Sequence, residues 1–188
     1  MKEVGRISLT TMSKRRKIGL YMLMISSVLV LLSLEGLLGL SMAGRTLQLQ
    51  LLFVGVFLGG SVLMFALHEG LHGLCFWLYT GKVKFGIKLD KWFGILPYAS
   101  SPHSVLTRKQ IVITALAPQV QTVVLIAMLV IAIYSNQPLM FSRCLFWLGM
   151  CSFLGGAMDM YSVVWLSKFR GSILVEDIID GAVVYERI

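Results

Sequence analysis

The sequence predicts an all-α polytopic membrane protein with four transmembrane helices and a small β-hairpin on the cytoplasmic side. Of its 188 residues, 57% are hydrophobic and only 14% are charged, and the mean hydropathy is +0.82. This composition is typical of integral membrane proteins. A helix needs about 20 apolar residues to cross the hydrocarbon core. Four runs meet that requirement: 18–42, 49–79, 111–134 and 144–167.

The distribution of basic residues predicts the orientation in the membrane. All but two of the 17 Lys and Arg residues lie before the first run, between the second and third, or after the fourth; the exceptions are Arg45 and Arg143. Because basic loops stay in the cytoplasm, we expect a multi-pass protein of the cell membrane with both termini cytoplasmic. The net charge of +8 then reflects topology and anionic lipid, and no nucleic-acid partner is predicted.

An N-terminal arm and a single domain are expected on this basis. Residues 1–17 form a basic cytoplasmic arm, which we expect to be poorly ordered or interfacial, and residues 18–188 form a single membrane-embedded domain. The first run contains one acid, Glu35. A buried proton or ion site is one interpretation, and a carboxyl near the outer boundary of the membrane is the other. The second interpretation is favoured, because acids at headgroup depth are far less unfavourable than acids at mid-bilayer.

The second run contains the motif H-E-x-x-H, formed by His68, Glu69 and His72. In a helix the two histidines are one turn apart on one face, so both imidazoles can reach one metal ion. Glu69 is rotated by about 100° from His68 and lies beside the ligand face. This is the pattern of a zinc hydrolase, in which the glutamate takes a proton from water. Ionisable residues within a membrane run also indicate function.

Small residues flank the motif. Gly70 and Gly73 are expected to make room for a substrate or a partner helix, whereas Gly55 and Gly59 have the spacing of ordinary helix packing. Cys75 follows His72 by three residues and could be a soft ligand, but packing is the favoured interpretation because free cysteines are commonly buried.

The segment after the second run predicts a hairpin. Residues 82–89 alternate polar and apolar side chains with period two, and a second apolar stretch follows an aromatic turn. Pro97 marks an edge or a strand end, so one strand is left free to pair with an extended peptide. Trp92 and Tyr98 are candidate interfacial anchors.

The third and fourth runs carry further polar residues. Pro118 predicts a kink and freed carbonyl groups that must find partners. Gln119 and Gln121 follow it and either make hydrogen bonds between helices or face a polar cavity. In the fourth run Asp159 follows a glycine pair, and the charged tail from residue 173 predicts a short cytoplasmic strand or strap.

A catalytic zinc site needs three protein ligands and an open position. At 1.5 Å per residue, His68 lies about 16 Å from the cytoplasmic end of its run, Asp159 about 12 Å and Gln119 about 15 Å. His68 and Asp159 therefore lie at nearly the same depth in the membrane. Asp159 is the predicted third ligand, and a purely structural role for its carboxyl is the alternative. The candidates set aside are Glu35, on the opposite side, His103, in the loop, and Cys75 and Asp90.

Several segments resemble one known family, the bacterial membrane proteins described as putative zincin peptidases. The resemblance covers roughly residues 60–188, and its helix order is similar to that of site-two intramembrane proteases. It implies His68, His72 and Asp159 as zinc ligands and Glu69 as the base. After Asp177 this chain has two isoleucines where members often have histidine and proline, so no tail function is carried over. The matching segments are 68–73, 81–86, 116–118, 156–160 and 174–177.

The resulting expectation is a membrane-embedded zinc metallopeptidase that hydrolyses membrane or membrane-proximal proteins. Its predicted partners are the lipid bilayer and a membrane-protein or peptide substrate, and a homo-oligomer is an open alternative. The competing function is a non-catalytic metal-binding scaffold, or an immunity or transport accessory protein. Such a protein has no need of Glu69 beside the ligands, and this favours the enzyme.

Overall fold

The computed structural model describes residues 1–8, 14–37, 45–90, 94–178 and 181–186. The helices are α1 (Lys14–Leu37), α2 (Leu47–Thr80), α3 (Arg108–Leu116), α4 (Gln119–Tyr134), α5 (Leu139–Gly155) and α6 (Ala157–Leu166). The strands are β1 (Lys2–Ser8), β2 (Lys84–Asp90), β3 (Gly94–Ser100), β4 (Val105–Thr107), β5 (Ile173–Ile178) and β6 (Gly181–Glu186).

Three helical segments are long and apolar enough to cross a membrane: Leu47–Thr80, Arg108–Tyr134 and Leu139–Leu166. They correspond to the second, third and fourth predicted runs. Many of their apolar side chains are exposed, such as Val62 at 72% and Val123 at 65%, as expected of surfaces that face lipid. In α1 the described apolar helix, Ile25–Gly36, is shorter, and residues 38–44 lie outside the described part of the chain. Three spans are thus supported, and the fourth stays a prediction.

Both interrupted spans break where the sequence contains a helix-breaking feature. The third is divided between α3 and α4 at Pro118, which has no N–H to continue the helix. The helix is therefore interrupted at the predicted position, and the kink itself stays a prediction. The fourth is divided between α5 and α6 at Gly156, which precedes the first turn of α6.

The prediction of an all-α fold with a single hairpin is too narrow. The hairpin itself is confirmed, because β2 and β3 pair in antiparallel register from Lys84↔Ser100 to Asp90↔Gly94. A second, four-stranded antiparallel sheet has the order β1-β6-β5-β4. Of the two expectations for the N-terminal arm, poor order is wrong for Lys2–Ser8, since this segment pairs with β6 and its Ile7 is buried. The interfacial position of the arm stays a prediction.

The chain divides into two compact units. The first comprises Met1–Met12, Ala66–Pro118 and Gly156–Ile188. Its core joins one face of the four-stranded sheet to Phe76 of α2, Ile111 of α3 and Leu166 of α6. Val175 and Val184 face each other in the β5–β6 register, and each is completely buried. Full burial of such a side chain contributes about 1.5–3 kcal/mol, so this sheet anchors the unit.

The second unit comprises Ser13–Phe65 and Gln119–Gly155. Its core is the packing of α4 on α5 through Leu129, Ala132, Leu145 and Phe146. Buried hydroxyl groups in the same helix pair, Thr122 and Ser152, share a hydrogen bond of 2.8 Å. Burial of these two hydroxyl groups is tolerated because each is the hydrogen-bond partner of the other.

Candidate metal centre

Within the described residues, one group of three His, Cys, Asp or Glu side chains could hold a metal ion: His68, His72 and Asp159. Their ligand atoms all lie within 4.8 Å of one another. The Nε2 atoms of His68 and His72 are 3.3 and 3.4 Å from Oδ2 of Asp159. All three residues belong to the first compact unit. The sequence-based choice of Asp159 thus agrees with its position in the fold.

Local structure explains the convergence. His68 and His72 are one turn apart on α2, and their side chains are 7% and 11% exposed. The two rings stand nearly perpendicular, with 5.0 Å between their centroids, so each presents its Nε2 edge rather than its face. Asp159 lies in the first turn of α6, just after the break at Gly156. An acid at this end of a helix interacts favourably with the helix dipole.

The far side of the His72 ring is held by a backbone carbonyl. Nδ1 of His72 lies 2.9 Å from the carbonyl oxygen of Thr114 on α3. A carbonyl only accepts hydrogen bonds, so Nδ1 carries the proton and a neutral ring keeps its lone pair on Nε2. Histidine ligands of metals are commonly oriented in this way. Thr114 therefore fixes the tautomer that a ligand needs.

The atoms that meet at the centre match a cation. Oδ2 of Asp159 is buried and has no hydrogen-bond partner among the described residues, although it lies within ion-pair distance of both imidazoles. With the lone pair of His72 directed at the same point, acceptor atoms face one another, which is unfavourable without a positive charge between them. Two nitrogens and one carboxylate oxygen are the ligands of many hydrolytic zinc sites. The residues present therefore fit zinc.

Glu69, beside the cluster, is fixed by the hairpin. The backbone N–H of Ala99 on β3 donates to Oε2 of Glu69 at 2.7 Å. Pro97 has no N–H and lies two residues earlier on the same edge of β3. The N–H of Ser101, two residues later, donates to Oδ2 of Asp177 at 3.2 Å. Two carboxylates thus bind the outer edge of the strand that Pro97 marked as an edge in the sequence.

Asp177 is an additional, partly buried acid of this region, and it lies outside the membrane-length helices. Burial raises the pKa of Asp177 to about 7, although the N–H of Ser101 and the nearby His72 both favour the charged form. The hydroxyl of Ser101 also contacts those of Thr80 and Ser104, at 2.7 and 2.9 Å. Asp177 therefore ties β5 to the junction between the hairpin and the end of α2.

The two glycines of the motif differ in their surroundings. A side chain at Gly73 would clash with the ring of Phe85 in β2, only 2.3 Å from the position of a Cβ atom. Gly73 therefore makes room for the hairpin, where a substrate or a partner helix was expected. At Gly70 no atom of the described residues lies within 4 Å of such a position, and the expectation of space for a substrate stays a prediction.

Other candidate residues lie elsewhere in the fold. Glu35 pairs with Arg143 in the second unit, and the side chain of His103 is 93% exposed beside Glu176. Gln121 donates from Nε2 to the carbonyl of Met64 at 3.2 Å, which favours helix packing. Nε2 of Gln119 is buried without a hydrogen-bond partner in the part of the chain that the structure describes, and its predicted cavity role stays a prediction.

Sequence reasoning did not identify Thr114, Ala99 or Asp177. Thr114 and Ala99 act through backbone atoms, which leave no side-chain pattern. Pro118 was nevertheless a usable signal, because the carbonyl that it leaves free is that of the residue four positions earlier, Thr114. Similarly, Pro97 indicated which edge of β3 faces away from β2, and Ala99 lies on that edge.

Fold and site together define a helical protein with three membrane-length segments and a buried two-histidine, one-aspartate cluster that could hold a metal ion. Residues 61–174 match the model of the family described as "Putative zincin peptidase". The chain belongs to this family, as the resemblance of its five segments predicted. Neither the curated proteins nor the solved structures compared with the chain match it.

Proposed function

We propose that this protein is a membrane-embedded zinc metallopeptidase that hydrolyses peptide bonds of membrane or membrane-proximal proteins. The observation that carries the proposal is the convergence of Nε2 of His68, Nε2 of His72 and Oδ2 of Asp159 at one buried point. A general base immediately beside the ligands, Glu69, distinguishes this arrangement from a site that only binds metal.

Each residue has a distinct role in the proposed reaction. His68, His72 and Asp159 hold the zinc, and Thr114 orients His72 through its carbonyl. When bound, zinc supplies a Lewis acid that polarises the scissile carbonyl and activates water. Glu69 accepts the proton of the attacking water and returns it to the leaving amine. The N–H of Ala99 holds the Glu69 carboxylate in place for both transfers.

The hairpin is the proposed binding element for the substrate. A peptide bond within a helix is inaccessible until its segment is extended, and an extended segment can pair with the free edge of a strand. The outer edge of β3 passes directly beside Glu69, through Ala99. Because Pro97 has no N–H and that of Ala99 binds Glu69, a substrate strand between Ile95 and Ala99 would pair mainly with the carbonyl groups of this edge, and it would present its backbone to the base.

The proposed location is the cytoplasmic half of the cell membrane, with both termini in the cytoplasm. The three membrane-length helices support a location in the membrane. The basic loops support cytoplasmic termini, provided that α1 is the fourth span. The lipid bilayer and a membrane-protein or peptide substrate are the proposed partners, and nucleic acid is not one. Association with a second copy is a further outcome to measure during purification.

Two matched substitutions test the function. Glu69→Gln preserves size and shape but cannot take a proton, so zinc content should stay near one per chain while turnover falls by a factor of about 10²–10⁴. Asp159→Asn replaces a carboxylate ligand by a poorer one, and it should lower both zinc content and turnover. Elemental analysis of detergent-purified protein gives the zinc content. Substrates captured on the Glu69→Gln variant provide the assay for turnover.

The same pair of variants tests the competing function of a metal-binding scaffold or an immunity or transport accessory protein. In that case Glu69→Gln would complement a deletion strain as fully as wild type does, while His72→Ala would not. That result would make the zinc structural and reject the peptidase. Retention of zinc by a His68→Ala, His72→Ala double variant would reject the site itself.

A further inference from the structure

The carbonyl that holds His72 is free because of a proline one helical turn later. In an α-helix the carbonyl of residue i accepts from the N–H of residue i+4. The partner of the Thr114 carbonyl would be residue 118, which is Pro118 and has no N–H. The preceding carbonyl, that of Ile113, is occupied normally by the N–H of Ala117 at 2.9 Å. Pro118 thus removes the helical donor of the carbonyl that His72 contacts, while the carbonyl one residue earlier keeps its own.

The contact is buried and involves only the backbone of Thr114. Thr114 is 2% exposed, His72 9%, and Pro118 is completely buried. The Thr114 hydroxyl donates to the carbonyl of Gln110 at 2.9 Å and takes no part in holding the imidazole. A buried carbonyl without a donor is strongly unfavourable, particularly within a membrane. Pro118 leaves the Thr114 carbonyl without its helical donor, and Nδ1 of His72 supplies the donor instead.

We propose that Pro118 is a positioning residue for the metal centre, because it frees the Thr114 carbonyl to bind Nδ1 of His72. That bond keeps the proton on Nδ1 and leaves the lone pair of Nε2 directed at Asp159, 3.4 Å away. The inference rests on the proposed metal site, but it assigns a function to a residue that touches neither metal nor substrate. It also explains why a helix break occurs at this point of the third span.

The competing explanation is that Pro118 only bends the helix and fills space. Both properties belong to its ring, whereas the proposed role depends solely on the missing N–H. Two substitutions separate them. Pro118→Ala removes the ring and supplies an N–H that competes for the Thr114 carbonyl. Replacement of Pro118 by lactic acid, through nonsense suppression, removes the ring equally but introduces an ester oxygen with no hydrogen to donate.

The first measurement is zinc affinity in detergent, by titration against a competing chelator. Pro118→Ala should bind zinc about 10- to 100-fold more weakly, the usual effect of losing an outer-sphere partner of a metal ligand. The lactic acid variant should stay within about threefold of wild type. Thr114→Val is the matched control at the acceptor. It removes the hydroxyl, retains the carbonyl and should bind zinc as wild type does.

The second measurement needs no metal. The ¹⁵N chemical shifts of the imidazole nitrogens in metal-free protein report the tautomer of His72, with His72→Ala used for assignment. At a pH high enough for the His72 ring to be neutral, wild type and the lactic acid variant should carry the single ring proton on Nδ1, and Pro118→Ala should show a mixture of tautomers. Equal loss of zinc affinity in the alanine and lactic acid variants, or a neutral wild-type ring with its proton on Nε2, would overturn the proposal. Absence of zinc binding in wild type with the expected tautomers would instead reject the proposed function.

Discussion

Glu69 of the motif helix and Ala99 of the hairpin are joined by a hydrogen bond of 2.7 Å between a carboxylate oxygen and a backbone N–H. The two residues are 30 positions apart, and the bond fixes the candidate base against the candidate substrate-binding strand. Because the donor is a main-chain group of a paired strand, its direction is set by the β2–β3 register and not by a mobile side chain.

Removing this donor should slow the reaction without affecting the metal. Ala99→Pro deletes the N–H at a position that faces away from β2, as Pro97 already does, so the hairpin should persist. A hydrogen bond to a charged group is worth about 1.5–3 kcal/mol, and turnover should therefore fall about 10- to 100-fold. Ala99→Gly retains the N–H and serves as the control. Equal losses in both variants would show that the bond has no such role.

Asp177 should make stability depend on pH. Its pKa is raised by burial from 3.8 to about 7, so between about pH 4 and pH 7 the folded state holds a proton that the unfolded state has released. The stabilising contribution is complete below about pH 4, decreases as pH rises and is lost above about pH 7, by at most about 1.4 kcal/mol per pH unit.

Thermal unfolding of detergent-purified protein at pH 5 and pH 8 tests this effect. Asp177→Asn keeps an acceptor for the N–H of Ser101 but does not ionise, so its melting temperature should change less between the two pH values than that of wild type. Equal changes in the melting temperatures of wild type and Asp177→Asn between pH 5 and pH 8 would contradict the prediction.

The buried ion pair of the second unit should be sensitive to removal of one partner. Arg143 donates to the carboxylate of Glu35, which is 4% exposed, and its guanidinium lies 4.1 Å above the ring of Phe53. Arg143→Met leaves a buried carboxylate unpaired and should destabilise the protein by about 3–5 kcal/mol. The double variant Glu35→Gln, Arg143→Met should recover much of that loss. Unfolding by SDS in mixed micelles measures the stability of the single and the double variant. A double variant that is less stable than the single one would refute the pairing.

Topology can be tested with fused reporters. A reporter placed after residue 91 should be cytoplasmic, and reporters near Arg45 or Asn136 should lie outside, because the basic residues are concentrated in the other loops. The reverse pattern would move the metal centre to the outer half of the membrane. A cytoplasmic reporter at both kinds of position would reject the predicted spans.

Much of the site was predictable because its signals are local. The spacing of His68 and His72 requires only one helical turn, and the hairpin is evident from alternation within eight residues. Asp159 is more distant in sequence, but the direction of its span and its depth identified it. Constraints imposed by the membrane make this possible, since two helices running in one direction bring residues of equal depth to one level.

The four-stranded sheet could not be predicted in the same way. β1 pairs with β6 between residues 2–8 and 181–186, and short polar-apolar segments at the two termini carry no sign of such pairing. Backbone contacts such as that of Thr114 were equally hidden, because any residue has a carbonyl. Only a proline at the correct distance reveals that this one is free.

The order of the ligands along the chain has a consequence for biosynthesis. His72 is synthesised about 90 residues before Asp159, which at 5–20 residues per second corresponds to roughly 5–18 s. During that interval the second helix is complete while the break at Gly156 and the aspartate beyond it do not yet exist. The nascent chain then offers only two imidazoles to a metal ion. The proposed zinc site would thus be completed late, after the helix that carries Asp159 has been synthesised.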